Sequence, residues 1–115
     1  MSNNIQKNIV SQGRDAIIAD DHTLILEIYE YIKENHKEQA LDLVYIFNRL
    51  FLIACTKGTN TMVQYFIQMY DSLDSIAKIA LRHSLIYGKV QLQNRGCREE
   101  ALSVNQRINQ SIEVR

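Results

Sequence analysis

An all-α fold of antiparallel helix pairs without a β-sheet is the architecture this sequence predicts, and three observations carry the prediction. The chain contains no proline. It has only four glycines in 115 residues. Its apolar residues recur every three or four positions rather than alternating, which is the spacing that puts them on one face of a helix. Hydrophobic residues make up 46% and charged residues 23%, a balance that supports a packed core rather than a disordered chain. The length suits one domain spanning residues 1–115, with frayed ends at about 1–14 and 111–115.

Ile5, Ile9 and Val10 give the first segment a thin apolar stripe, and Gly13 weakens it, so a frayed helix is expected there. Asp20-Asp21-His22-Thr23 offers side-chain oxygens for a helix start, and Ile25, Ile28, Tyr29 and Ile32 form the stripe that follows. Asn35-His36 ends that helix. Glu38 to Lys57 is apolar nearly all round, through Ala40, Leu43, Val44, Phe47, Leu50, Phe51 and Ala54, and is expected to be the central core helix. Gly58 and Thr59-Asn60-Thr61 read as a helix end followed by a cap, with Met62, Val63, Phe66, Ile67 and Tyr70 facing inward. After a turn at Asp71 to Ser75, the pattern places Ile76, Ile79, Ala80, His83, Ile86 and Tyr87 inward until Gly88 ends the helix. Gly96 breaks the chain again. Arg98 to Gln110 carries Ala101, Val104 and Ile108. The expected core contains Phe47, Phe51, Ala54, Val63, Phe66 and Ile79.

The stretch from Phe51 to Ile67, FLIACTKGTNTMVQYFI, resembles one repeat of the ankyrin family. Ala54 and Cys55 match the small pair that lets two helices approach, Gly58 matches a left-handed helix end, and Met62, Val63, Phe66 and Ile67 match the second helix. A weaker copy runs from Leu81 to Leu92, its Gly88 lying 30 residues after Gly58 (88 − 58), against about 33 in the family. The chain departs from the family where Arg49-Leu50 stands for the usual Thr-Pro, and where no glycine hairpin separates the copies. The resemblance implies either an ankyrin-like helical repeat or a small helical bundle sharing one such unit. It also implies protein recognition without a cofactor or catalysis.

Catalytic and metal chemistry find little purchase. Glu27, Glu30, Glu34 and Glu38 share one helix face opposite the apolar stripe, the position of a solvated acidic face. No Glu-x-x-His unit exists, because Ala19, Lys33 and Ala80 precede His22, His36 and His83 by three. Cys55 and Cys97 lack the spacing of a zinc or redox motif, and a Cys55–His83 pair would need adjacent helices to bring the two together. The protein is expected to be no enzyme, with no cofactor and no metal.

Thirteen basic and thirteen acidic residues leave the net charge at zero, so no global field draws the chain to nucleic acid or membrane. The segment 78–98 is nonetheless basic, with Lys78, Arg82, Lys89, Arg95 and Arg98 and no acid, and Tyr87 among them. These six residues are the candidate binding site. They suit an acidic protein surface, including the acidic face of a second copy, or a phosphate backbone with Tyr87 stacking on a base. The expected function is a non-enzymatic protein–protein interaction module, with a small nucleic-acid binder as the alternative. Without an N-terminal apolar leader or a spanning segment, the expected location is the cytoplasm or nucleus.

Overall fold

The computed structural model describes residues 2–38 and 41–113, and among them there are seven helices and no strand. They are α1 (Ser2–Ile18), α2 (His22–Asn35), α3 (Leu43–Lys57), α4 (Asn60–Asp71), α5 (Ser75–Ala80), α6 (Arg82–Asn94) and α7 (Arg98–Glu113). Four helix starts are fixed by side chains accepting from otherwise unpaired backbone N–H groups. Asp21 takes the N–H of Leu24 at 3.0 Å, Asp42 that of Tyr45 at 3.0 Å, Thr59 that of Met62 at 3.1 Å and Asp74 that of Ala77 at 2.8 Å.

Two helix ends close in the same way. After α1, Asp20 adopts φ 57°, and the N–H groups of Asp20 and Asp21 bond back to Ile17 and Ala16. After α6, Gly96 adopts φ 77°, and the N–H groups of Gly96 and Cys97 bond back to Gln93 and Leu92. Both are left-handed terminations that satisfy the last carbonyls of the helix. Gly58 differs from expectation. Its φ is −79°, so it is not left-handed; glycine serves there because a Cβ would stand 2.8 Å from the carbonyl oxygen of Ala54.

The helices pair as α1/α2, α3/α4 and α6/α7, with α5 as a connector. Within a pair the helices are antiparallel: Lys89 of α6 bonds Asn105 of α7, and Phe47 of α3 meets Phe66 of α4 edge to face at 5.8 Å. Between pairs they run parallel. Polar crosslinks recur at a constant separation of 36 residues: Gln6 to the N–H of Asp42, Asn48 to Ser84, Gln64 to Glu100 and Asp71 to Arg107. First helices α1, α3 and α6 therefore form one layer and second helices α2, α4 and α7 the other. The molecule measures 38 × 36 × 19 Å, its short axis matching two helix layers spaced at about 10 Å.

This stacking has a period. The residues that open the second helices are Asp21, Thr59 and Cys97, 38 apart each time (59 − 21 and 97 − 59). The helix-end residues Asp20, Gly58 and Gly96 repeat at the same interval. So do the buried positions Ile9/Phe47/Leu85, Ala16/Ala54/Leu92, Ile25/Val63/Ala101, Ile28/Phe66/Val104 and Ile32/Tyr70/Ile108, every member of which is buried. Each pair thus buries the same five positions, which is what lets similar units pack on one another.

Helix α3 lies between α1 and α6, and each neighbour offers it a glycine. A Cβ on Gly13 would come within 2.6 Å of Leu50 Cδ2, and one on Gly88 within 2.6 Å of Phe51 Cε2. Gly13 therefore does not weaken a frayed helix; it lets α1 seat on α3, with Ile9, Ala16 and Ile17 buried. The backbone is helical from Ser2 to Ile18, across most of the segment expected to fray. Gly88 likewise does not end a helix but sits in the middle of α6, and the helix end falls at Gly96. The weaker ankyrin-like copy is thereby out of register: the glycine one period after Gly58 is Gly96.

Three further expectations change. The central helix starts at Leu43, where Asp42 supplies the cap, rather than at Glu38, and Ala40 lies outside the described residues. Ile76 and Ile79 are 80% and 62% exposed, because α5 is a six-residue helix that turns Ala77 inward and ends at buried Leu81. His83, expected inward, is exposed, since the break at Leu81 resets the helical phase and Leu85, Gly88 and Leu92 become the inner face of α6. At the other end, the backbone of α7 runs helical to Glu113, and residues 114–115 lie outside the described residues.

A Gly→Ala change inside a helix ordinarily stabilises it by up to about 1 kcal/mol. Gly88→Ala is expected to do the opposite and cost about 1–3 kcal/mol, because the Phe51 ring is fully buried and has nowhere to move. Urea denaturation of the two proteins checks the sign.

Candidate recognition surface

The outer face of the first-helix layer is the side of α1, α3 and α6 turned away from the second helices. On α3 it carries Tyr45, Arg49, Leu52 and Thr56, spaced i, i+4, i+7, i+11, a face set by Phe47, Phe51, Ala54 and Cys55 pointing the other way. On α6 the equivalent positions are His83, Tyr87, Val90 and Asn94, each 38 residues on. On α1, Arg14 and Ile18 correspond to Leu52 and Thr56. Tyr87 is 65% exposed and Tyr45 44%.

Between α1 and α3 this face dips into a shallow groove of about 230 Å³ floored by Leu52 and Ile53 and edged by Arg14, Arg49 and Lys57. Arg14 sits 3.8 Å from Asp15, both exposed. Among the described residues the Arg49 and Lys57 side chains make no hydrogen bond or ion pair, so their charges are available to a ligand. This grouping escaped sequence reasoning because Arg14 is 35 positions from Arg49 in the chain (49 − 14). The 38-residue period is the signal that would have brought them together.

The six residues proposed from sequence are dispersed. Tyr87 alone belongs to the outer face. Lys78 lies over the Tyr70 ring at 5.7 Å on α5, separated from half-buried Arg82 by the break at Leu81. Lys89 donates to Asn105 at 3.0 Å and shares a groove with exposed Arg98 at the α6/α7 end of the stack. Arg95 is occupied internally: its guanidinium donates to the carbonyls of Cys55 at 2.8 Å and Gly58 at 2.7 Å, and more weakly to Ala54 at 3.4 Å. That geometry neutralises the carbonyl end of α3 and ties it to α6. The basic segment is therefore not one strip.

Chemistry-bearing groups are held apart. Cys55 is fully buried against Gly88, and burial pushes its thiol up to about 12, Arg95 pulling in the opposite direction. Exposed His83 lies on the other side of α6, so no Cys–His pair forms. Cys97 is half-buried and donates to Asn60 at 3.4 Å. Glu27, Glu30, Glu34 and Glu38 are exposed, as a solvated face requires. Among the described residues no three His, Cys, Asp or Glu side chains come together to hold a metal ion, and no helix is long and apolar enough to cross a membrane.

Two polar groups sit at pair boundaries. Asp20 accepts from the Thr59 hydroxyl at 2.8 Å and pairs with His22 at 3.0 Å; the Thr59 bond, then His22, outweighs burial and holds its carboxyl below the usual value. Glu100 is buried and accepts from Gln64 at 2.8 Å. It occupies the position filled by Leu24 and Met62 in the earlier pairs, so helical periodicity alone gave no reason to expect a carboxylate there.

Comparison with protein families, with curated proteins and with solved structures finds no match to this chain.

The buried thiol has a pH consequence. An unfolded cysteine loses its proton near pH 8.5, whereas the native Cys55 keeps it until about 12, so its contribution to stability is complete below pH 8.5 and declines as pH rises toward 12. Between pH 8 and 9.5 the parent should lose about 1 kcal/mol more than Cys55→Ala. Equal losses in denaturant titrations at the two pH values would contradict the burial of this thiol.

Proposed function

We propose that the chain is a non-enzymatic protein-recognition module of helical-repeat type, three ankyrin-like helix pairs whose first-helix layer forms the binding face. The observation that carries the reading is the exposed Tyr45, Arg49 and Tyr87 on one face of a three-helix layer. Tyrosine and arginine are enriched among the side chains that dominate binding energy at protein interfaces, tyrosine because it buries large area with only two side-chain torsions and arginine because its planar fork makes several hydrogen bonds at once. The 38-residue period supports the repeat half of the reading, since stacked helix pairs create extended surfaces shared by several units. It exceeds the roughly 33 residues of an ankyrin repeat, so the likeness lies in the helix pair and not in the loop between pairs.

The electrostatics favour a protein over a nucleic acid. A phosphate backbone needs several cations in line, and here Arg95 bonds internally while Lys78 is stacked on Tyr70. Arg14, Arg49 and Lys57 suit instead a few carboxylates placed around an apolar or aromatic contact.

The test is capture from nuclease-treated lysate by the purified protein, compared with Tyr45→Ala/Tyr87→Ala. Both residues are exposed, so stability should change by less than about 1 kcal/mol, whereas binding should weaken at least about tenfold. Capture that vanishes on nuclease treatment, or that the double variant retains in full, would contradict the proposal.

A further inference from the structure

The two ends of the stack are copies of its internal joints. Where the first pair meets the second, a void of about 20 Å³ is lined on the second pair's side by Leu43, Ile46, Phe47, Leu50, Phe66 and Met69. One period earlier these positions are Ile5, Asn8, Ile9, Gln12, Ile28 and Tyr31. All six line an open groove of about 360 Å³ on the outer side of the first pair, together with Leu24 and Glu27. The first pair's side of the joint includes Gly13, His22, Ile25 and Tyr29. Two periods later these are Lys89, Arg98, Ala101 and Asn105, and all four line an open groove of about 310 Å³ on the outer side of the last pair. Each end of the molecule thus presents one half of the joint it already makes internally.

The geometry points to head-to-tail stacking of a second copy of this chain, the α6/α7 end of one copy seating the α1/α2 end of the next. It rests on the repeat half of the proposed function and is independent of the recognition face. The internal joints fix the register. His22 lies against Tyr65, ring centroids 5.4 Å apart, and the same contact between copies sets Arg98 opposite Glu27. Gln64 bonds Glu100, and the same contact between copies sets Leu102 opposite Leu24. Gly13 receives Leu50, which between copies becomes Lys89 opposite Gln12. An exposed cation thus meets an exposed carboxylate, and Leu102, 63% exposed, meets a leucine. The two surfaces differ, so the contact is heterologous and each added copy presents the same free end as the last; assembly does not stop at two.

Analytical ultracentrifugation across a hundredfold concentration range tests this. The parent should grow beyond a dimer as concentration rises. Arg98→Glu and Glu27→Arg should each remain monomeric, because each sets like charges opposite one another. An equimolar mixture of the two should regain association, since both junctions then pair opposite charges. Circular dichroism checks that the variants keep their helices, and Glu27 and Arg98 are exposed, so they should. A parent that is monomeric throughout, or a closed dimer unchanged by either substitution, would overturn the inference. Tyr45→Ala/Tyr87→Ala should assemble like the parent, and Arg98→Glu should retain lysate capture, so failure of stacking and failure of the recognition face are read separately.

Discussion

Close contact between α3 and its two neighbours is the constraint on which the rest of the structure depends. Gly13 and Gly88 remove the side chains that would hold α1 and α6 away, and Leu50 and Phe51 fill the space. With the three first helices set side by side, the second helices can only lie across them, where Ile28, Phe66 and Val104 fill equivalent places. The polar crosslinks at 36 residues, and Arg95 reaching back to the end of α3, then fix how far each pair slips against the next.

Stacking by period explains both what is buried and what is exposed. A position covered in the middle of the stack has a counterpart at the end with nothing over it, so Leu43 is half-buried against the core while its equivalent Ile5 is 40% exposed. The ends have diverged in chemistry while keeping their place: Gly13 becomes Lys89, His22 becomes Arg98, and Tyr65 has Glu27 as its earlier counterpart. The outer face of the first helices bears no packing constraint, and there the chain carries Tyr45, Arg49, His83 and Tyr87.

Much of the fold was legible because helix signals are local. The all-helical class, the caps near Asp21, Thr59 and Asp74, and the burial of Phe47, Phe51, Ala54, Val63 and Phe66 follow from three- and four-residue spacing and from capping chemistry. Glycine misled at Gly13, Gly58 and Gly88, since it can mark a break, a left-handed turn or a close contact, and only the surrounding structure decides which. The short α5 turned Ile76 and Ile79 outward, and the break at Leu81 left His83 and Tyr87 exposed, while Ile86 kept its place against the core. The candidate surface was the least legible part. It is assembled from three helices, and the basic segment that looked continuous from Lys78 to Arg98 is divided among a stacked lysine, an internal crosslink and an end groove.

A stack of similar pairs in which α3 is held from both sides should come apart from its ends. Native-state hydrogen exchange measures this most directly. The amides of α3 should be the most protected, exchanging only through global unfolding, while those of α1 and α2, and of α7, exchange through partial opening at lower free energy. Protection as high in α1 or α7 as in α3, or a maximum outside α3, would contradict the central place given to that helix.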